Sequence, residues 1–448
     1  MPLSPAGRLV VMSDDAPVSA TPRRAPATPR RAGTYRTFYS EPLTVASAQG
    51  CTITDTRGVD HLDAYNNVPV LGHSHPAIAD AVHAQLLRAN THTRYLDDVV
   101  EAYSRDLLAL LPQHIESVVY TCSGSEANDL ALQVAAYSSM SSGVIVARRA
   151  YHGTTSATAA ISPSLSAAPR DHVVTVDIPD ADDPDFEQHL ADRVRRAAAE
   201  LERRGHGTSA FVLDSTMTSE GIVTGEHVRL AAAVDAVHDA GGFYIADEVQ
   251  AGFFRTGTWW GYEALGVAPD LVTLGKPMGG GLPIAAVAGP RVVFSDFGGQ
   301  QRYFNTFAGT PAPIAAAHTV LATLRDGGFG ERVPEAGSRL GEGLSDALAE
   351  AGVDGRVRRA GLMVGVDLRP AAQDEARAGA WAGEIVEAMY ARRVLVSRTG
   401  PGDAVVKIRP PLVITDEEID RLVDGFRDAL ADVGYAHAQG SGPGEGSD

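Results

Sequence analysis

Apolar residues along this 448-residue chain fall into two alternating patterns. Between about Thr91 and Thr323 short apolar runs recur: "ESVVYTC", "GVIVARRA", "HVVTVDI", "SAFVLDS", "GGFYIADE" and "DLVTLG". Each is too short for a helix and is bounded by polar or turn residues, which predicts buried strands. Stretches with helical spacing separate them, such as "HVRLAAAVDAVHDAGG", closed by a glycine pair. The alternation predicts an α/β domain whose mostly parallel sheet is covered by helices.

From about Arg325 the order becomes helix, strand, strand, helix, through "GSRLGEGLSDALAEAG", "VGVDLR", "VLVSRT" and "DEEIDRLVDGFRDALADVG". That predicts a smaller α+β domain. The expected organisation is a disordered tail over 1–33, an N-terminal segment over 34–90, a large domain over 91–323, a small domain over 324–435 and a flexible tail over 436–448. The N-terminal segment holds the strand-like "CTITDT" and the loop "AYNNVPVLGHSHP". The first tail carries the near-repeat TPRRA-PA-TPRRA, and its twin arginines lack the following apolar stretch of an export signal.

Charge and composition narrow the function classes. A formal net charge of −18 argues against nucleic acid and anionic membranes as partners, while leaving room for a small anionic ligand in a local pocket. No apolar run approaches the length of a membrane span. Two cysteines, Cys51 and Cys122, fit a reduced, cytoplasmic setting. Of 38 Lys plus Arg residues only two are lysine, Lys276 and Lys407. Lysine can shed its proton and act as a nucleophilic amine, whereas a guanidinium stays charged. This singles out Lys276, in "LVTLGKPMGGGLPIAAV", before any motif is considered.

In sheets of the expected kind, ligands sit at the carboxyl ends of strands. After "VVYT", Ser123 and Glu126 form a capping box that opens a helix with the apolar stripe Ala127, Leu130, Ala131 and Val134. Either this is an ordinary capped helix, or Gly124 and Ser125 form a cup for a phosphate at its positive end. After "GGFYIA", Asp247 would hold a cation, a metal or a protonated ring nitrogen, or else pair with Arg255. After "LVTLG", Lys276 is either a surface lysine or a desolvated amine that forms a Schiff base. "GKPMGGG" lacks the residue order of a nucleoside triphosphate loop. His73 and His75 have no acid or cysteine cluster beside them, so no metal site is expected there. A phosphate cup, a ring-nitrogen carboxylate and an imine-forming lysine together are what pyridoxal phosphate requires.

The motifs "SGSEAND" (Ser123 to Asp129), "YHG" (Tyr151 to Gly153), "IADEVQAGFFRTG" (Ile245 to Gly257), "LGKPMGGGLP" (Leu274 to Pro283), "YFNTFAGTP" (Tyr303 to Pro311) and "PPLVIT" (Pro410 to Thr415) follow one another in order. With them the chain resembles the class III aminotransferases, fold-type I pyridoxal phosphate enzymes, from about Thr34 to Val433. The resemblance implies a seven-stranded sheet in the large, cofactor-binding domain. It implies that Lys276 carries the cofactor as a Schiff base and moves the proton between the substrate α-carbon and C4′. Asp247 would keep the pyridine nitrogen protonated, and Gly124 and Ser125 would bind the phosphate. Tyr151 and Val249 would cover the two ring faces, with Gln250 and Asp214 near the ring hydroxyl. Thr306 matches a threonine that reaches the phosphate from a neighbouring subunit, implying a homodimer.

Departures from the family pattern bear on the substrate, an amine or amino acid. Lys407 and Ser219 stand where ornithine-type members have a carboxylate-binding arginine and its glutamate. Arg409 is a second candidate for the substrate's anionic group, expected to point elsewhere than Lys407 if the segment is a strand. Phe254 replaces a usual glycine and Thr310 a usual asparagine, both expected to reshape the entrance. "YNNVPVLGHSHP", "NTHTRYLDD", "YFNTF" and "KIRPP" resemble the branch with ethanolamine-phosphate and phosphohydroxylysine phospho-lyases. Transamination is the expected reaction, with elimination or replacement at the β or γ carbon as the alternative.

Overall fold

The computed structural model describes residues 37–165, 170–369 and 375–440. The tail expected over 1–33 lies outside the described residues, as do residues from 441 on. Residues 37–42 belong to a separate small cluster, in which the rings of Phe38 and Tyr39 meet edge to face, with centres 6.4 Å apart. From Leu43 onward the chain forms one unit.

That unit begins with β1 (Val45–Gln49), β2 (Thr52–Asp55) and β3 (Asp60–Asp63), an antiparallel meander. Next come β4 (Ser117–Thr121), β5 (Val144–Ala147), β6 (Val173–Val176), β7 (Ala210–Asp214), β8 (Phe243–Asp247), β9 (Leu271–Leu274) and β10 (Ala285–Gly289). These seven form one sheet in the order β4-β10-β9-β8-β7-β5-β6. β10 runs antiparallel to β4 and β9, and the remaining pairs are parallel. The sequences "VIVA" and "LVTL" are buried at every position, because helices cover both faces and leave no polar side to mark. The covering helices are amphipathic in turn: Phe186–Arg203 buries Phe186, Leu190, Val194, Ala197 and Leu201.

β10 is the strand the apolar pattern did not separate from its surroundings. Its sequence AAVAG has neither alternation nor bulk, and only its pairing between β4 and β9 defines it.

The C-terminal part is richer in strands than the two expected. It contains β11 (Arg356–Ala360), β12 (Met363–Asp367), β13 (Val394–Leu395), β14 (Ser397–Thr399) and β15 (Val405–Ile408). An antiparallel sheet forms in the order β11-β12-β15-β14, with the helix Phe329–Glu350 packed on β11 and on the last helix, Asp416–Gly440. That last helix runs past position 435, into the stretch expected to be a flexible tail. β13 instead pairs in parallel with β3. Past that pair, Arg409 N–H donates to Ala64 O at 2.8 Å and Leu412 N–H to Val70 O at 2.9 Å. These bonds bring the loop after β3 under the end of β15, where the site lies.

Candidate active site

The parallel strands deliver their side chains to one edge of the seven-stranded sheet. β7 ends in Asp214 and β8 in Asp247, Lys276 follows β9 by two residues, and the turn after β4 opens the helix Gly124–Ser139. Asp247 pairs with Thr273 in the β8/β9 register, so acid and amine come from neighbouring strands. Gly124, Ser125, Tyr151, Asp214, Asp247, Val249, Gln250 and Lys276 all line a single cavity together with Asn128, His152 and Gly153.

At one end lies the helix start. Ser123 Oγ accepts from Glu126 N–H at 3.3 Å, and Glu126 Oε2 accepts from Cys122 N–H at 2.6 Å. The amides of Gly124 and Ser125 have no acceptor among the described residues, as expected for the first turn of a helix. Ser125 Oγ accepts from Thr154 N–H at 3.2 Å. Gly124 has to be glycine here, since a Cβ would meet Val249 Cγ1 at 2.7 Å. The same Val249 branch crowds Gly275, where a Cβ would meet it at 3.0 Å, so Val249 is wedged between two glycines.

At the other end is Asp247, only 5% exposed. Its Oδ2 accepts from His152 Nδ1 at 2.7 Å and Asn128 Nδ2 at 2.9 Å, and its Oδ1 from Val249 N–H at 3.1 Å. Burial would raise its pKa, but the hydrogen bond and charge of His152, the Asn128 bond and nearby Lys276 override this and hold the carboxyl below its usual range. The alternative pairing with Arg255 does not form: Arg255 donates instead to Leu362 O at 3.1 Å and Pro410 O at 2.6 Å.

Lys276 is half-buried and makes no hydrogen bond or ion pair among the described residues. Burial and the charge of Arg409 push its pKa below that of a free lysine, against the pull of Asp247 and Asp214. Asp214 is fixed by Thr216 and Thr218: Oδ1 accepts from Thr216 N–H at 3.0 Å and Oδ2 from Thr218 N–H at 3.0 Å.

Lys407 and Arg409 correct one expectation. Residues two apart on a strand share a face. Both cations therefore lie over Tyr65, Lys407 Nζ at 6.0 Å from the ring centre and the Arg409 guanidinium at 4.5 Å. Arg409 donates to Gln250 Oε1, so Gln250 is engaged with the arginine. Lys407 makes no hydrogen bond or ion pair among the described residues. Burial, then Arg409 and Lys276, push its pKa well below the usual ammonium range.

Other expectations fall away from the cavity. Phe254 is buried against Trp259, with ring centres 4.4 Å apart, at a φ of 63° that explains why glycine suits the position. Thr310 precedes the helix Pro311–Asp326 and bonds Phe307 O at 2.9 Å. Neither lines the cavity. Ser219 lies in the turn Thr218–Glu220 without a hydrogen bond among the described residues. Thr306 is exposed, beside Tyr303, Phe304 and Phe307, which are also exposed. His73 bonds Asp63 Oδ2 at 2.7 Å. Asn128, His152, Thr273 and Tyr65 were not singled out by sequence reasoning. All four sit inside quoted stretches, but only the fold shows what they face.

With this geometry in place, the chain can be set against known proteins. The family profile described as Aminotransferase class-III matches residues 35–430. The chain belongs to the class III aminotransferase family. It is a pyridoxal phosphate-dependent enzyme of fold-type I. As a class III member it is 33% identical to "Alanine--glyoxylate aminotransferase 2-like" of Drosophila melanogaster, over 88% of this chain and 84% of that protein. It is 30% identical to "Ethanolamine-phosphate phospho-lyase homolog 1" of Caenorhabditis elegans, over 88% and 90%. Among solved structures, a phospholyase from Arthrobacter in complex with phosphoethanolamine is 39% identical, covers 88% of this chain and 96% of its own, and superposes with a TM-score of 0.83.

Proposed function

We propose that this enzyme eliminates phosphate from a small primary amine phosphorylated on the carbon next to the amine-bearing one. The observation that carries the proposal is Lys407, a half-buried amine over the Tyr65 ring with no hydrogen bond or ion pair among the described residues, in a site whose arginine is already engaged. A planar arginine fork grips carboxylate and phosphate alike, while lysine offers a compact point charge that also suits a phosphate. The likeness to the phosphoethanolamine-bound phospholyase supports the same substrate class. Transamination is the second reading, favoured by the likeness to the alanine–glyoxylate aminotransferase relative.

The residues present fit the cofactor. The open amides of Gly124 and Ser125 would hold its phosphate, and Asp247 Oδ1 would hold a proton at the ring nitrogen. Tyr151 and Val249 would bound the ring faces, and Asp214 would stand near the ring hydroxyl. Once bound, pyridoxal phosphate supplies an electron sink for charge at the substrate α-carbon. The depressed pKa of Lys276 makes its neutral amine available, so Nζ acts as nucleophile and takes the proton from that carbon. Lys407 Nζ, with Arg409 behind it, holds the substrate phosphate. Loss of that group breaks the C–O bond, whose electron pair leaves with the phosphate. With one water the remaining atoms are released as ammonia and a carbonyl compound.

The same proposal includes a homodimer in the cytoplasm. Exposed Thr306 stands in an exposed aromatic stretch suited to a second copy, and both cysteines are free. No helix among the described residues is long and apolar enough to cross a membrane.

The test is to supply holoenzyme with amino-alcohol phosphates, without any oxo acid, and to follow cofactor absorbance and free phosphate together. Sustained phosphate release with a recovering cofactor band supports elimination. Lasting conversion of the cofactor to its amine form, with no phosphate released, establishes transamination instead.

A further inference from the structure

The acid at the cavity floor is joined to a chain of hydrogen-bonded side chains that runs from the cavity wall into the sheet. Thr273 Oγ1 donates to Asn128 Oδ1 at 2.7 Å. Asn128 Nδ2 donates to Asp247 Oδ2 at 2.9 Å and to His152 O at 2.9 Å. His152 Nδ1 closes on the same Oδ2 at 2.7 Å, and His152 N–H donates to Ser162 Oγ at 2.8 Å. Thr273, Asn128 and His152 are all buried, at 0%, 2% and 3% exposure, so water offers no substitute for any of these partners.

The direction of the Asn128 amide is the point on which this arrangement turns. An asparagine presents one acceptor and two donors, and rotating the amide exchanges them. Reversed, Asn128 would turn its oxygen toward Asp247 Oδ2, an acceptor against an anion. Asp247 Oδ2 and His152 O, both acceptors only, exclude that flip, and the Thr273 hydroxyl completes the lock by donating to the amide oxygen left on its side. With Oδ2 occupied by two donors, the carboxylate cannot rotate, and Oδ1 keeps its lone pairs on the cavity side, next to Val249 N–H at 3.1 Å. Thr273 can do this because β9 pairs with β8 residue for residue, placing it directly beside Asp247.

We infer that Thr273 and Asn128 are positioning residues, which fix the rotation of the Asp247 carboxylate and so present one defined oxygen to the cofactor's ring nitrogen. This rests on the reading of Asp247 as the ring-nitrogen partner.

The test uses Thr273→Val, which keeps shape and loses the hydroxyl, Thr273→Ser, which keeps the hydroxyl, and Asp247→Asn. The purified chains are stripped of cofactor, and pyridoxal phosphate is titrated back by absorbance, giving an affinity and a band position. Melting temperatures are taken on the stripped proteins. Thr273→Val is expected to weaken cofactor affinity roughly tenfold or more and to displace the band, the size of one lost buried hydrogen bond and the unpaired amide oxygen it leaves free to shift against Asp247. Thr273→Ser is expected to bind as the natural chain does. The inference is overturned if Thr273→Val leaves affinity and band unchanged while Asp247→Asn alters both. It is overturned equally if the valine and serine variants lose affinity together in step with melting temperature, since that is the mark of packing alone. If Asp247→Asn changes neither readout, the reading of Asp247 fails and takes the inference with it.

Discussion

Lys276 and Lys407 are chemically the same side chain with different tasks. The difference comes from what surrounds each: Lys276 feels Arg409 but also the pull of Asp247 and Asp214, whereas Lys407 faces Tyr65 and feels chiefly the like charges of Arg409 and Lys276. If Lys407 holds a substrate phosphate, Lys407→Ala removes a charge-assisted hydrogen bond of about 1.5–3 kcal/mol. The specificity constant for an amino-alcohol phosphate then falls by roughly 10- to 100-fold. An unchanged constant would remove Lys407 from the substrate site. The same residue sets a pH dependence. Its pKa is depressed by burial and by Arg409 and Lys276, so as pH rises it loses its proton earlier than an ordinary lysine. Anion binding therefore weakens with rising pH, seen as an increase in KM, and Lys407→Arg is expected to flatten that increase because a guanidinium stays charged.

At the scale of elements, the strand–turn–helix from β4 into Gly124–Ser139 is held against the turn after β8 by very close contact. Val249 fills the space that a side chain at Gly124 or Gly275 would need. Gly124→Ala is expected to push Val249 out of place, costing about 1–3 kcal/mol of stability and loosening cofactor binding. Adding Val249→Ala vacates the space, so the double variant should recover part of the melting temperature lost by the single one. Strict additivity of the two losses would show that the residues do not press on each other. This contact was only half legible beforehand. Gly124 was named for its amide and Val249 for a ring face, but nothing in their separation along the chain says that the two touch.

For the whole molecule, Glu248 links the site's foundations to global stability. It adjoins Asp247 but points the other way, with Oε2 accepting from Gly261 N–H at 2.8 Å and Oε1 from Tyr262 N–H at 2.8 Å. Burial pushes its carboxyl up from 4.5 to about 7, against the hydrogen bonds it accepts. An acid whose pKa is raised on folding stabilises the fold most below its unfolded value. That contribution is lost as pH climbs through the folded value. The natural chain should therefore lose stability between about pH 4.5 and 7 through this group. Glu248→Gln does not titrate, so the melting temperature of the natural chain is expected to fall relative to that variant over that interval. A constant gap would show that Glu248 does not change protonation on folding.

Much of the architecture could be read directly from residue order. Fully apolar runs separated by amphipathic helices point to a mostly parallel sheet with both faces covered, because the helical crossovers between them lay helices on each face. Motif order also pointed to the cofactor, since a helix cap, an acid and a lysine that each follow a strand must gather at one sheet edge. Pairing and direction were decided only in three dimensions. β10 exists through its neighbours, β13 joins β3 across most of the chain, and that join carries Tyr65 beneath Lys407 and Arg409. Phe254 and Thr310, expected at the entrance, turned to ring packing and to a bond back to Phe307 O because backbone direction at a turn is not encoded by residue type alone. The partners of Asp247 belong to the same class. A hydrogen bond depends on distance and angle between atoms far apart in the chain, so composition and spacing nominated the acid while only the folded sheet supplied Asn128, His152 and Thr273 around it.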